Sequence, residues 1–125
     1  PDFAIVVEST TAADIPNVAQ DKKVCYVGEG AVISFMDRRT IYDKKLVDAA
    51  MSCANENVKV QYKQAVAGGN DAGAIQTSRG GVRTLAVSLP CRYLHSSCGL
   101  ISADDYSSAY AVVTQVANKI LSNSL

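Results

Sequence analysis

Short apolar runs alternate along this chain with stretches of helical periodicity, and that alternation restricts the fold more than any other feature. Residues 3–8 form a continuous apolar run closed by Glu8, the pattern of a strand buried on both faces. Residues 31–36 repeat the pattern and are closed by Asp37. A helix is predicted next. Thr40 with Asp43 resembles a capping box, Leu46, Ala50 and Cys53 make one stripe, and Val47, Met51 and Ala54 make the next. Residues 58–66 alternate apolar and polar side chains, which predicts a strand with one wet face near a sheet edge. Gly68-Gly69-Asn70-Asp71 then predicts a tight turn, with Asn70 or Asp71 capping a short helix over 72–79 that Gly80 and Gly81 close. Residues 82–89 are another strand. Ser102 with Asp105 resembles a capping box opening a terminal helix that runs to about Leu121. Its expected face carries Tyr106, Tyr110, Val113, Ala117 and Ile120, with Val112 and Val116 beside it. Strand, strand, helix, strand, helix, strand, helix is the order of an α/β fold, with helices covering a largely parallel sheet. Between the first two strands, residues 9–30 read as a long loop, and loops of that length are usually functional or packed against a neighbour.

Composition narrows the function classes. The chain has 125 residues, enough for one domain with a real core, and 48% of them are hydrophobic. Lys plus Arg and Asp plus Glu number 12 each, so no global field attracts nucleic acid or an anionic membrane. No apolar run is long enough to span a bilayer. The chain goes from Pro1-Asp2 straight into a strand, which reads as entry mid-domain. The four cysteines, Cys25, Cys53, Cys91 and Cys98, form no C-x-x-C pair and read as reduced, semi-apolar residues of a cytoplasmic protein. A Cys91/His95/Cys98 metal site would lack a fourth ligand at a recognisable spacing.

Chemistry is expected at strand ends, because open α/β sheets bind ligands outside the carboxyl ends of their strands. Glu8, Asp37 and the single histidine, His95, fall there. Carboxylate and imidazole suit zinc and similar divalent ions. Each also has an ordinary reading: Glu8 as a solvated strand end, Asp37 as a partner of Arg38 or Arg39, His95 as a surface side chain. The Gly68-to-Asp71 turn could offer backbone N–H groups to an anion. Phosphate-loop signatures are absent, however, and Asp71 would repel phosphate, which favours tight strand-to-helix packing. No Ser–His–Asp arrangement is visible.

Four blocks occur in order. They are Val7-Glu8-Ser9-Thr10-Thr11-Ala12-Ala13-Asp14-Ile15-Pro16; Gly28-Glu29-Gly30 with Ile33-Ser34-Phe35-Met36-Asp37-Arg38; Gly68-Gly69-Asn70-Asp71-Ala72-Gly73-Ala74-Ile75; and Pro90-Cys91-Arg92-Tyr93-Leu94-His95-Ser96. Together they resemble the carboxyl-terminal half of the M42 family of metallo-aminopeptidases, the glutamyl, deblocking and tetrahedral aminopeptidase group also named cellulase M or endoglucanase. The resemblance implies a three-layer αβα zinc-peptidase sandwich with a mostly parallel sheet. That sandwich would be incomplete here, with residues 1–125 forming the C-terminal portion of the catalytic domain and no second domain. It implies peptide substrates and, in the intact enzyme, two divalent ions (Zn, Co or Mn). Glu8 falls at an acidic ligand of one ion and His95 at the histidine ligand of the other. Gly69, Asn70, Asp71 and Arg92 fall on the substrate side. It further implies cytoplasmic homo-oligomers, often dodecamers.

The family's second histidine, its bridging aspartate and the Glu-Glu pair containing the general base would lie upstream of residue 1. No catalytic residue is therefore expected within the chain. Alone it should bind metal weakly or not at all and should not hydrolyse peptides. It would need a complementing N-terminal half, or would serve as a structural or assembly module of the same fold. A strand edge meant for that half would be open to self-association. A glycoside hydrolase, suggested only by the older family name, would need a carboxylate pair flanking a sugar, and with no Trp and 2 Phe the chain offers no stacking platform.

Overall fold

A computed structural model describes all residues, 1–125. Its strands are β1 (Phe3–Thr11), β2 (Ala31–Ile33), β3 (Val60–Tyr62) and β4 (Arg83–Cys91). Its helices are α1 (Lys44–Met51), α2 (Ala72–Gln76) and α3 (Ala103–Leu121), with a single 3-10 turn at Gln20–Lys22 inside the long loop. The strands form one open, 4-stranded sheet in the order β1-β4-β2-β3. The β1–β4 and β2–β3 pairs are parallel, and β2 meets β4 antiparallel. The α/β class and the mostly parallel sheet expected from the alternation are both present.

β1 and β4 carry the longest ladder, in register from Phe3 opposite Arg83 to Thr11 opposite Cys91. Because they are parallel, Glu8 and the loop after Cys91 come to the same end of the sheet. β4 is central and buried almost throughout. β1 is an edge strand, only half-buried, with Val7 exposed. The expectation that it is buried on both faces is therefore corrected: Val7 lies on a solvent-facing side of the strand, and in addition no strand of the chain pairs with its outer edge. β3 is the opposite edge, as its alternating sequence predicts.

β2 shows how the layers divide. Ala31 and Ile33 enter the main core with Leu46, Leu85, Val87, Val112 and Val116. Val32 points into a second, smaller cluster with Ala12 and Cys25, so the long loop covers that side. β2 stops at Ile33 rather than Met36, because Met36 pairs with Ile41 across a turn closed by Asp37.

The caps refine two expectations. Asp43, not Thr40, caps α1: its Oδ1 accepts from Leu46 N at 3.1 Å, and the same carboxylate takes both a 2.8 Å and a 3.0 Å bond from Arg83. Ser102 caps α3 through Asp104 N, while Asp105 is fully buried and accepts from Gly28 N and Gly30 N, each at 2.7 Å. That carboxylate draws the helix face round. The buried stripe is Asp105, Ser108, Ala109, Val112 and Val116, while Tyr106 and Tyr110 are exposed. Gly30 is required where it stands: its φ is +88°, and a Cβ there would lie 2.0 Å from Lys59 O. No helix is long and apolar enough to cross a membrane.

Candidate functional site

The shared end of β1 and β4 opens into a cleft of about 390 Å³ lined by Glu8, Ser9, Thr10 and Thr11, by Lys63, Gly68 and Gly69, and by Leu94 and His95. Glu8 and His95, 87 positions apart in the sequence, thus face one space. The parallel ladder is the cause, since it brings both strand ends to the same edge.

Glu8 is half-buried on β1. Burial pushes its carboxyl above the ordinary carboxylate range, against the opposing pull of the Asn70 hydrogen bond and of the Lys63 charge. Asn70 Nδ2 donates to Glu8 Oε1 at 2.8 Å. Lys63 donates to Ala67 O at 2.8 Å, which closes the turn on the far wall of the cleft.

His95 is exposed in the loop after β4. Its φ is +65°, and that of Tyr93 is +62°. Neither residue is glycine, so this loop holds two left-handed positions that cost energy, of the kind that concentrates at functional sites. Arg92 explains how the loop is held. Its guanidinium donates to Asp14 Oδ1 at 2.7 Å and to Asp14 Oδ2 at 2.8 Å, and its backbone exchanges hydrogen bonds with Leu100. Asp14 also accepts from Val27 N, so one carboxylate ties the long loop to the His95 loop. The Arg92 hydrogen bond holds the Asp14 carboxyl below its ordinary value.

The other expected site residues fall as follows. Gly69 lines the cleft, and the Arg39 side chain lies against it, 2.9 Å from where a Cβ would be. Asn70 reaches Glu8, and its Oδ1 caps α2 through Ala72 N at 2.8 Å. Asp71 is exposed at the start of α2 and makes no side-chain cap. Arg92, expected on the substrate side, is engaged with Asp14 and does not line the cleft. Asp37 is not at the cleft edge either, because antiparallel β2 carries its end away from the carboxyl ends of β1 and β4. It is buried and accepts from Arg39 N, Thr40 N and the Tyr42 hydroxyl, with no side-chain pairing to Arg38 or Arg39. Burial, reinforced by Asp37, raises the Tyr42 phenol above its ordinary value.

A carboxylate and an imidazole are suitable donors for zinc or a related ion, and in type they fit. In number they do not. No three His, Cys, Asp or Glu residues are grouped as a metal would need, so this chain's side chains alone do not complete a metal centre. The cysteines do not supply the deficit. Cys91 is buried with its thiol on Arg92 O, Cys98 is exposed, and burial pushes the Cys25 thiol up to about 12. All four are free thiols.

Comparison with known proteins fits this geometry to a family. Residues 1–112 match the sequence model described as M42 glutamyl aminopeptidase. The Escherichia coli (strain K12) protein named "Putative aminopeptidase FrvX" is 33% identical over 114 residues, covering 90% of this chain and 32% of that protein. The crystal structure of a TET aminopeptidase from the marine sediment archaeon Thaumarchaeota archaeon SCGC AB-539-E09 superposes with a TM-score of 0.85 at 30% identity, over 93% of this chain and 33% of that one. The TET1 peptidase of Pyrococcus horikoshii, described as assembling into a tetrahedron or a large octahedral shell, superposes with a TM-score of 0.70 at 27% identity, over 94% of this chain and 33% of that one. The chain spans about a third of the length of the relatives it matches.

Proposed function

This chain belongs to the M42 glutamyl aminopeptidase family, and we propose that it supplies one wall of the active-site cleft of a dinuclear-metal aminopeptidase that removes N-terminal residues from peptides. The observation that carries the reading is the convergence of Glu8 and His95 on one cleft at the common end of two parallel strands. In this reading Glu8 donates to one divalent ion and His95 to the other, with the remaining ligands and the general base coming from outside residues 1–125. When bound, such ions would supply Lewis acidity and an activated water. The chain's own residues do the rest of what is proposed here. Asn70 fixes the direction of Glu8. The Asp14–Arg92 pair holds the His95 loop. Gly69, lacking a side chain, lets Arg39 pack closely under the turn that lines the cleft.

The test uses the full-length protein that contains this chain. Glu8→Ala and His95→Ala should each lower bound Zn, Co or Mn, and should cut the release of N-terminal residues by at least about 100-fold, since each removes a direct metal ligand. Unchanged metal content together with an unchanged peptidase rate would sink the reading.

A second reading has its own observation. The shell-forming TET1 relative is in line with a non-catalytic module that keeps the fold for assembly. Titrating the folded 125-residue chain with Zn or Co separates the two: no binding by the chain, and none contributed by Glu8 or His95 in the full-length protein, supports the module. The shell-forming TET1 relative and the open outer edge of β1 support a homo-oligomer or a complementing N-terminal segment as the partner. The free thiols accord with a cytoplasmic setting.

A further inference from the structure

Four side chains run as one hydrogen-bonded series from the cleft into the protein. Asn70 Nδ2 donates to Glu8 Oε1 at 2.8 Å and to the Tyr42 oxygen at 2.8 Å. The Tyr42 hydroxyl donates to Asp37 Oδ2 at 2.6 Å. Asp37 Oδ1 accepts from Arg39 N at 2.7 Å and Thr40 N at 2.8 Å.

Counting protons gives the series a direction. Tyr42 has one hydroxyl proton, and it goes to the buried Asp37 carboxylate, so toward Asn70 the Tyr42 oxygen can only accept. That requires the Asn70 amide to present its nitrogen to Tyr42 and Glu8 and its oxygen to Ala72 N, which donates to it at 2.8 Å. A flipped amide would set two acceptors against each other at Tyr42 and two donors against each other at Ala72. Both Asn70 amide protons are therefore committed, one to each neighbour. Glu8 Oε1 is held by one of them, and Oε2 receives no hydrogen bond from the chain.

We propose that Asn70, backed by Tyr42 and Asp37, is the positioning residue that fixes the Glu8 side chain and leaves Oε2 as the oxygen Glu8 offers to the cleft. The proposal rests on the reading of Glu8 as a working group of that cleft, and it replaces the expectation that the Asn70 amide itself meets substrate. The backing matters because a lone asparagine on a turn could swing away. Asp37, buried and bonded to two backbone N–H groups, anchors Tyr42, and Tyr42 gives the Asn70 amide a second fixed point. Charge-assisted bonds at both ends of the series strengthen it, and partners locked in this way hold a working side chain in one orientation.

The experiment is solution NMR on the 125-residue chain, isotopically labelled. A scalar coupling transmitted through the hydrogen bond should connect the Asn70 side-chain nitrogen to the Glu8 carboxyl carbon, and Glu8 should occupy one χ1 rotamer. In Asn70→Ala the coupling is lost and Glu8 averages over rotamers. In Tyr42→Phe, which keeps the buried ring, the coupling weakens and averaging begins, while the backbone spectrum of β1 stays as it was. A purely structural role for Asn70 would not move the Glu8 rotamer in a chain that remains folded. The proposal is overturned if the wild-type coupling is absent while backbone hydrogen-bond couplings of β1 and β4 are seen. It is also overturned if Glu8 keeps one rotamer in both folded variants. The wild-type measurement needs no substitution, so failure of a variant to fold leaves the test intact. If the coupling is present yet Glu8→Ala changes neither metal content nor rate in the full-length protein, the positioning stands and the aminopeptidase role of Glu8 falls.

Discussion

The two walls of the cleft are built on opposite principles. Glu8 sits within a strand, half-buried, and its carboxylate is the outer end of a hydrogen-bonded series that terminates in the buried Asp37. His95 sits beyond a strand, exposed, on a loop with two non-glycine residues in the left-handed region. The base of that loop is tied down by the pair that Arg92, three residues before His95, makes with Asp14. One wall is fixed by direct contact with the Glu8 side chain. The other is fixed by the loop that carries it. The strand wall is therefore expected to be rigid to the side-chain tip and the loop wall rigid only at its base.

The largest expected effect tests the anchor of the strand wall. Asp37→Ala removes a carboxylate that accepts three hydrogen bonds and leaves Arg39 N, Thr40 N and the Tyr42 hydroxyl without their partner. Losing bonds to a buried charged group and stranding their donors should cost about 3–5 kcal/mol, read as a fall in the urea midpoint with an unchanged slope. Asp14→Ala, the matching change at the base of the loop wall, leaves Val27 N and Arg92 unpaired. Because the loop can relax toward solvent, it should cost less, about 1.5–3 kcal/mol. The comparison breaks if Asp14→Ala is the more damaging of the two. It sharpens if amide exchange in Asp14→Ala speeds up across residues 93–99 while β1 keeps its protection.

Much of this was legible in the sequence, and the limits have physical causes. The apolar runs of β1 and β4 and the Ser102 cap of α3 are local signals, and they fall where the sequence places them. Glu8 and His95 stood out as strand-end groups, and the parallel pairing that unites them follows from the α/β order. Asp37 did not stand out as buried, because its environment depends on β2 running antiparallel to β4, which no local pattern encodes. The face of α3 was misjudged for a related reason. Tyr106 and Tyr110 make as good a helical stripe as Asp105, Ala109, Val112 and Val116. Only the distant Gly28 and Gly30 N–H groups, which need Asp105, decide between the two. The Asn70–Tyr42 contact joins residues 28 positions apart through side chains alone, a pairing that periodicity cannot report.

A middle-sized effect follows from acid. Asp14 and Asp43 are held below the ordinary carboxylate value by Arg92 and Arg83. A carboxyl depressed in the folded state adds stability that is fully present above its unfolded pKa, about 3.9, and is lost as pH falls through the folded value. The contribution of these two carboxylates should therefore be flat above about pH 5 and decline below about pH 4, while the raised Glu8 carboxyl adds stability that is present in acid and lost as pH rises through its folded value. Arg92→Gln should remove the Asp14 share of that decline and leave the Asp43 share, giving a shallower acid limb in urea unfolding followed from pH 6 to pH 2.5. If the limb keeps its full steepness, the Arg92–Asp14 pair is not what restrains the loop wall.

The smallest effect probes the strain stored in that wall. Tyr93 is exposed at 57%, and its φ of +62° is one that an L-residue adopts at a cost of about 1–2 kcal/mol, whereas glycine adopts it freely. Glycine also loses more freedom on folding, about 0.5–1 kcal/mol, so part of the gain is returned. The bonds that use this position, from Ser96 N and Ser96 Oγ to Tyr93 O, are made to backbone and survive the change. Tyr93→Gly should therefore stabilise the chain slightly, by about 0.5 kcal/mol, without touching His95. Val6→Gly, on the strand wall, should do the opposite, because a strand interior has no such strain to relieve and loses a side chain that packs on the core. Opposite signs for the two glycine substitutions in parallel urea titrations would show that only the loop wall is strained. A loss of stability in both would mean that the left-handed positions around His95 carry no strain that glycine can relieve.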